Sequence, residues 1–239
     1  MRAPFFLIAA LSFLISACSE PVTRAQVSPI PQPEEPRILA MGDSMMAWHN
    51  VSERSIADVV GRELGEPVEN YAVSGARVLY KLPVSGAMGM EISKQYRPGN
   101  WDWVVLNGGG NDLWMGCGCG ECHDKLNRMI TLNGRGGEIA KTVVNLRKTG
   151  AQVVYVGYMR SPGRGSIIDH CGEVAMEMED RIAKLAAQVE GVHFVSLTDM
   201  IPYGDLSYHG VDRIHPSLKG SREIGRRVAE VIRSVEVDG

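Results

Sequence analysis

The sequence contains no long run of lysine and arginine, and its net charge is only −3. Nucleic acid is therefore not an expected partner. The glycine-rich phosphate loop with its lysine is absent, and no serine lies in the Gly-x-Ser-x-Gly motif of the α/β-hydrolases. The apolar fraction of 44% and the charged fraction of 22% are those of an ordinary globular protein.

A hydrophobic run long enough to span a membrane is also missing. Residues 5–17 form an apolar stretch of about 13 residues, whereas a helix needs roughly 20 to cross a bilayer core of about 30 Å. The basic Arg2, the apolar stretch and the small residues before Cys18 resemble the cleavage box of bacterial lipoproteins. The resemblance implies that residues 1–17 are a signal peptide and that Cys18 carries lipid. The alternative is an ordinary signal peptide followed by a chance cysteine.

Lipid on Cys18 would determine where the protein works. Diacylglycerol plus an amide-linked acyl chain makes a stable membrane anchor. We therefore expect a lipid-anchored protein of the bacterial cell envelope that faces the periplasm, on the outer rather than the inner membrane. Residues 18–36 contain five prolines and predict an extended tether, with a tail of no particular role as the alternative. Residues 37–239 then form one domain with a sizeable core, which we expect to be a monomer.

Four cysteines remain beyond Cys18, and an even number in an exported protein indicates disulfides. Of the three possible pairings, a bridge between Cys117 and Cys119 is disfavoured because one intervening residue would strain it. We expect one bridge among Cys117, Cys119 and Cys122, and one from this cluster to Cys171. Two alternatives stay open, free thiols and a zinc site, although the spacing is not that of a standard finger. The zinc alternative would use Cys117, Cys119, Cys122, His123, His170 and Cys171.

Strands and helices alternate along the domain. Short apolar runs predict strands at 37–41, 68–73, 101–106, 153–156 and 192–197. Helical spacing predicts helices from Ser52 or Ser55 to Leu64, around 139–146, at 174–189 and at 217–232. Loop-rich segments are expected at 75–100 and 159–172, and an irregular one at 115–124. This alternation predicts an α/β fold in which helices cover both faces of a five-stranded parallel sheet.

Candidate catalytic residues follow the predicted strands. Ser44, Gly75 and Asn111 come just after the first three strands, and open parallel sheets place their sites at the carboxyl ends of the strands. Ser44 lies on a predicted strand-to-helix turn, where acyl-transfer enzymes place a nucleophile. Far downstream, Asp212 and His215 are spaced so that both can turn toward one serine. Together they would supply a nucleophile, a general base and a group that orients the base.

These residues resemble the four blocks of the SGNH hydrolases, also called GDSL esterases and lipases. The blocks are Gly42-Asp43-Ser44, Asn70 to Gly75, Gly109-Gly110-Asn111-Asp112 and Asp212-x-x-His215. They occur in the family's order across about residues 37–235. One departure is Met45, which replaces the usual leucine and conserves volume. Taken singly, each block is more typical of a turn, a loop or a helix cap, so only the joint pattern indicates the family.

The resemblance implies a three-layer sandwich of flavodoxin-like SGNH type and a role for each matching residue. Ser44 would be the nucleophile, His215 the general base, and Asp212 the carboxylate that orients the imidazole. The backbone N–H groups of Ser44 and Gly75 and the side-chain amide of Asn111 would form the oxyanion hole. No cofactor and no metal are implied. His209 lacks a spaced aspartate, and we interpret it as loop surface.

We therefore expect a serine esterase that acts on a small-molecule or glycan ester. A domain without a long apolar insertion favours a short acyl chain, and the expected location favours O-acetylated envelope glycan. Two alternatives remain: an acyltransferase on the same triad, and a non-catalytic envelope-binding module. The Cys-rich segment directly follows Asn111, so we also expect its disulfides to shape the substrate pocket.

Overall fold

A five-stranded parallel sheet forms the centre of the domain. The computed structural model of the protein describes residues 35–163 and 165–238; the expected signal peptide, Cys18 and most of the tether lie outside them. The strands are β1 Ile38–Met41, β2 Val68–Asn70, β3 Trp103–Leu106, β4 Gln152–Val156 and β5 Val192–Val195. Every neighbouring pair is parallel, and the order is β2-β1-β3-β4-β5. The predicted sheet is thus confirmed.

Helices cover both faces of this sheet. They are α1 Ser44–Ala47, α2 Ile56–Leu64, α3 Pro83–Ser85, α4 Gly110–Cys117, α5 His123–Met129, α6 Glu138–Arg147, α7 Gly172–Ala186 and α8 Leu218–Asp238. Within residues 35–163 and 165–238, no helix combines the length and the apolar character that a membrane crossing needs.

Two apolar cores lie on opposite faces of the sheet because successive strand residues point to opposite sides. In β3, Val104 and Leu106 join one core, and Trp103 and Val105 join the other. Helices α4 to α7 complete the first core, and α1, α2 and α8 complete the second. The result is the predicted three-layer α/β sandwich.

The start of α2 settles which of two serines caps it. Ser55 Oγ accepts the N–H of Asp58 at 3.2 Å, and the Asp58 carboxylate accepts the N–H of Ser55 at 2.8 Å. Such a reciprocal cap contributes about 1 kcal/mol. Gly65 ends the helix in the left-handed region at φ 76°. Ser52 instead belongs to the short 3-10 turn Asn50–Ser52.

The prediction of irregular structure at 115–124 is wrong at both ends of that segment. Helix α4 continues to Cys117, where Gly118 at φ 62° ends it, and α5 begins at His123. Glycine and cysteine are poor helix formers, but Leu113 of α4 and Leu126 of α5 are buried in the first core. Tertiary packing of these leucines outweighs the local preference.

Candidate active site

Ser44 stands on a tight turn between β1 and α1. Asp43 caps α1 by accepting the N–H of Met45 on its Oδ1 at 3.0 Å, which makes Ser44 the first helical residue. Gly42 precedes this turn, and a Cβ there would lie 2.0 Å from the Oδ1 of Asn107. Only glycine therefore lets the chain pass Asn107 and present the serine at the carboxyl end of β1.

Three side chains form a continuous hydrogen-bond chain. The Nε2 of His215 lies 2.8 Å from the Oγ of Ser44, and its Nδ1 lies 2.7 Å from the Oδ2 of Asp212. A carboxylate only accepts, so Nδ1 carries a hydrogen and Nε2 is free to accept the proton of Ser44. Burial acts to raise the pKa of Asp212, but hydrogen bonds from His215 and Ile214 outweigh it and lower that pKa. Asp212 is therefore ionised at neutral pH.

Asp212 also shapes the loop that carries His215. Its Oδ1 accepts the N–H groups of Ile214 and His215, each at 3.0 Å. Arg213, which lies between Asp212 and Ile214 in the sequence, adopts a left-handed φ of 58°. The aspartate thus stabilises its own turn in the way that Asp does in Asx turns, and the same side chain holds both the backbone and the ring of His215.

The three predicted oxyanion donors have different surroundings. Among the described residues, neither the N–H of Ser44 nor that of Gly75 meets a hydrogen-bond acceptor. Asn111, on the first turn of α4, lines the same pocket as Ser44 and donates one amide hydrogen to the carbonyl of Ala76 at 3.0 Å, which leaves its second hydrogen for a ligand. Gly75 does not line this pocket itself, but the Ala76 contact places its turn beside Asn111. Glycine is needed at position 75 because φ is 82°.

A mainly apolar cavity of about 110 Å³ opens beside Ser44, Asn111 and His215. Its apolar walls include Met45, Leu113, Met159, Ile168, Met178 and Ile214. A cavity of about 150 Å³ lined by similar side chains can bind benzene, so this one has room for a small apolar group.

Two disulfides order the Cys-rich segment. Cys117 pairs with Cys122, and Cys119 pairs with Cys171, which is the arrangement that the sequence favoured. The second bridge joins the α4–α5 connection to the start of α7, and both of its cysteines line the cavity. The sulfurs of Cys119 and Cys171 also lie within metal-binding reach of His170, but they are bonded to each other and cannot act as thiolate ligands.

Residues 40–223 match the family model of GDSL-like lipases and acylhydrolases. The chain belongs to this family. It is therefore a hydrolase of ester bonds, as the sequence predicted. A comparison with curated protein sequences finds no significant match.

Solved structures share the GDSL fold with this chain at low sequence identity. A candidate SGNH hydrolase from Slackia heliotrinireducens has a TM-score of 0.58 at 21% identity, over 83% of this chain and 100% of its own. A carbohydrate acetylesterase family member from Sinorhizobium meliloti has a TM-score of 0.58 at 16% identity, over 84% of this chain and 98% of its own. A carbohydrate esterase family 2 enzyme from Corynascus thermopiles was solved with a carbohydrate-binding domain. It has a TM-score of 0.58 at 17% identity, over 87% of this chain and 68% of its own. Identities this low establish the fold alone.

A buried polar network behind Ser44 was not predicted from the sequence. Asp43 is 2% exposed, and its Oδ2 accepts the hydroxyl hydrogen of Tyr158. The same hydroxyl oxygen accepts the N–H of Gly110 at 3.0 Å. Burial raises the pKa of Asp43, and it raises the pKa of Tyr158 well above its usual value. Tyr158 lies two residues after the end of β4, so the rule that sites lie at the carboxyl ends of strands could have identified it.

Two further residues near the triad differ from expectation. His209 is not loop surface: it is only 5% exposed and forms a β-bridge with Pro216. Trp48 had no assigned role, yet its indole stacks on the imidazole of His215 with ring centroids 3.9 Å apart and an interplanar angle of 9°. The stack of Trp48 on His215 joins two loops that are distant in sequence, whereas the bridge from His209 to Pro216 forms within one loop.

Proposed function

We propose that this protein is a serine esterase that cleaves short-chain carboxylic esters through an acyl-enzyme on Ser44. The observation that carries the proposal is the unbroken chain from Ser44 Oγ through His215 to Asp212, with contacts of 2.8 and 2.7 Å. A serine hydroxyl is a weak nucleophile until a neighbouring base removes its proton, and this arrangement supplies that base.

In the first half-reaction, Nε2 of His215 takes the Ser44 proton while Oγ attacks the ester carbonyl. Asp212 stabilises the resulting imidazolium through Nδ1. The oxyanion would receive the free amide hydrogen of Asn111 and the N–H groups of Ser44 and Gly75, each such donor being worth about 3 kcal/mol of barrier. His215 then protonates the departing alcohol, and in the second half-reaction it activates the water that releases the acid.

The cavity supports a short acyl group on the substrate. Its volume of about 110 Å³ and its apolar walls, which include Leu113, Met159 and Met178, suit a few methylene groups better than a long chain. The Sinorhizobium meliloti and Corynascus thermopiles proteins are carbohydrate esterases by their descriptions, which supports an O-acetylated sugar as one substrate class. We therefore propose acetyl or short acyl esters, with envelope glycan as the alcohol part.

We also propose that the esterase is lipid-anchored at Cys18 in the cell envelope and faces the periplasm, on the outer rather than the inner membrane. Two disulfides support an oxidising compartment. Residues 35–37 lead into the amino end of β1, whereas Ser44 follows its carboxyl end. The described chain therefore enters the domain at the end of β1 opposite Ser44.

The test is hydrolysis of p-nitrophenyl acetate, butyrate and hexanoate by the full-length chain, beside Ser44→Ala. We expect turnover that falls at least about 10³-fold in Ser44→Ala. Ser234→Ala, an exposed serine on α8, is the matched control and should keep full activity. Turnover that appears only with a sugar acceptor would indicate an acyltransferase. A folded protein without turnover on any ester, with or without acceptor, would refute the proposal in favour of a binding module.

A further inference from the structure

Trp48, at the end of the turn that carries Ser44, packs its indole against the imidazole of His215. Helix α1 ends at Ala47, and the N–H of Trp48 donates to the carbonyl of Ser44 at 2.9 Å. The indole of Trp48 then lies nearly parallel to the imidazole of His215, with centroids 3.9 Å apart. Ser44 and Trp48 thus belong to one hydrogen-bonded turn, which keeps them at a fixed distance from each other.

His49, which follows Trp48, contacts the backbone of the loop that carries His215. The Nε2 of His49 lies 3.1 Å from the carbonyl oxygen of Pro216, and because a carbonyl only accepts, Nε2 must carry the hydrogen. His49 adopts a left-handed φ of 65°, which is uncommon for a residue other than glycine. Its ring meets that of Trp48 edge to face, with centroids 6.1 Å apart. One contact therefore fixes the imidazole of His215, and the other fixes the backbone next to it.

This restraint matters because His215 lies in a loop and not in a helix or strand. Its imidazole must point Nδ1 at Asp212 and Nε2 at Ser44 at the same time. Hydrogen bonds at the two ring nitrogens leave the ring able to swing about the line that joins them. A stacked indole removes that freedom, since a swing would separate the two ring faces. Misplacement of a catalytic base by about 1 Å can cost 10²-fold in rate.

We propose that Trp48 and His49 form a positioning clamp that holds His215 in line between Asp212 and Ser44. The inference rests on the proposed function, because it assigns the clamp to acyl transfer at Ser44. The indole has a second effect on the same step. When His215 takes the serine proton, it becomes an imidazolium, and the face of an indole attracts a cation. The stack therefore favours the charged form that appears only as the reaction proceeds, and its loss should lower kcat more than it raises KM.

The kinetic test compares Trp48→Leu with Trp48→Phe in the full-length chain. Leu is apolar but has no π-face, so kcat for p-nitrophenyl butyrate should fall on the order of 10- to 100-fold with KM changed less than about 2-fold. Phe keeps a stacking ring and should recover most of kcat. Trp101→Phe is the control, since Trp101 donates to the Arg97 carbonyl and precedes the amino end of β3. Equal losses in kcat for Leu and Phe, or a change in KM alone, would overturn the clamp.

A second comparison tests the backbone contact. His49→Gln keeps a side-chain N–H that can reach the Pro216 carbonyl, whereas His49→Ala removes it. We expect His49→Gln to stay within about 2-fold of the parent in kcat, and His49→Ala to lose on the order of 10-fold. Identical kcat values for the two variants would show that the hydrogen bond does not position the loop.

Fluorescence separates failure of the clamp from failure of the proposed function. The imidazole of His215 forms part of the surroundings of the stacked indole, so the emission of the full-length chain should contain a component that depends on this stack. That component should vanish in Trp48→Phe and in His215→Asn, and it should persist in His49→Gln and Ser44→Ala. If it follows this pattern while Ser44→Ala still hydrolyses esters, the stack stands and the acyl-enzyme proposal fails. If Ser44→Ala is inactive but the component is absent or survives in His215→Asn, the clamp fails alone.

Discussion

The Nε2 of His215 lies 2.8 Å from the Oγ of Ser44, although the two residues are 171 positions apart. The sheet brings them together, because Ser44 follows β1 and the loop of His215 follows β5, and both strands end at the same edge. Neither residue is positioned by its own segment alone. Asp43 caps the turn of Ser44, Asp212 caps the turn of His215, and Trp48 spans the two. The site is therefore a junction of two self-stabilised turns.

Replacing Asn111 should lower kcat with little change in KM. In Asn111→Ala the amide that would face the oxyanion is lost, which should reduce kcat about 10²- to 10³-fold for p-nitrophenyl acetate. The variant also loses the hydrogen bond to Ala76, so its free energy of unfolding should fall by about 1 kcal/mol. Both quantities follow from steady-state kinetics and urea unfolding. A rise in KM with kcat unchanged would mean that Asn111 binds the ground state and not the oxyanion.

The two disulfides should affect stability and substrate binding differently. Paired Ala substitutions at Cys119 and Cys171 remove a disulfide whose cysteines are 52 residues apart. The same substitutions at Cys117 and Cys122 remove one whose cysteines are 5 residues apart. Loop entropy predicts losses of roughly 4 and roughly 2 kcal/mol in the free energy of unfolding. Only the first pair joins two sides of the cavity, so only it should raise KM for p-nitrophenyl butyrate, on the order of 10-fold.

The shorter bridge is the matched control in this comparison, since it lies in the same segment. Chemical unfolding gives the two stability changes, and steady-state kinetics on the folded fraction gives KM. If both double variants bind the substrate equally well, the disulfides stabilise the fold without shaping the pocket.

Strong local signals made the sheet predictable. The Trp103–Leu106 strand is buried on both faces, so its sequence is a continuous apolar run that needs no tertiary information to be found. Asp212 and His215 are also close in sequence, which made their joint orientation foreseeable. The covering of both faces then followed from the alternation of elements, whereas the strand order β2-β1-β3-β4-β5 came only from the structure.

Contacts between loops could not be predicted in the same way. Trp48 lies beside His215, and Tyr158 beside Asp43, only because separate strand-to-helix connections meet at one edge of the sheet. Histidine is common at protein surfaces, yet His209 is only 5% exposed. Residue type gives no warning of such burial, since it depends on which distant segments cover the loop.

The buried His209 should make the folded state sensitive to mild acid. Burial lowers the pKa of His209, whereas in the unfolded chain a histidine titrates near about 6.5. Below that pH the unfolded state binds more protons, so the free energy of unfolding falls as pH drops from about 6.5 toward the folded-state pKa. Asp212, whose pKa is lowered, acts in a separate window: it stabilises the fold above about pH 4 and loses that contribution in stronger acid.

Urea unfolding of the parent and of His209→Gln across pH 7.5 to 5 should therefore give different slopes. As pH falls, the parent should lose stability relative to the variant, because the variant has no imidazole to protonate at position 209. Some slope should remain, since burial also lowers the pKa of His193. His123→Gln removes an exposed histidine and should follow the parent. A slope in His209→Gln equal to that of the parent would mean that His209 takes up its proton within the fold without cost, and that mild-acid sensitivity arises elsewhere.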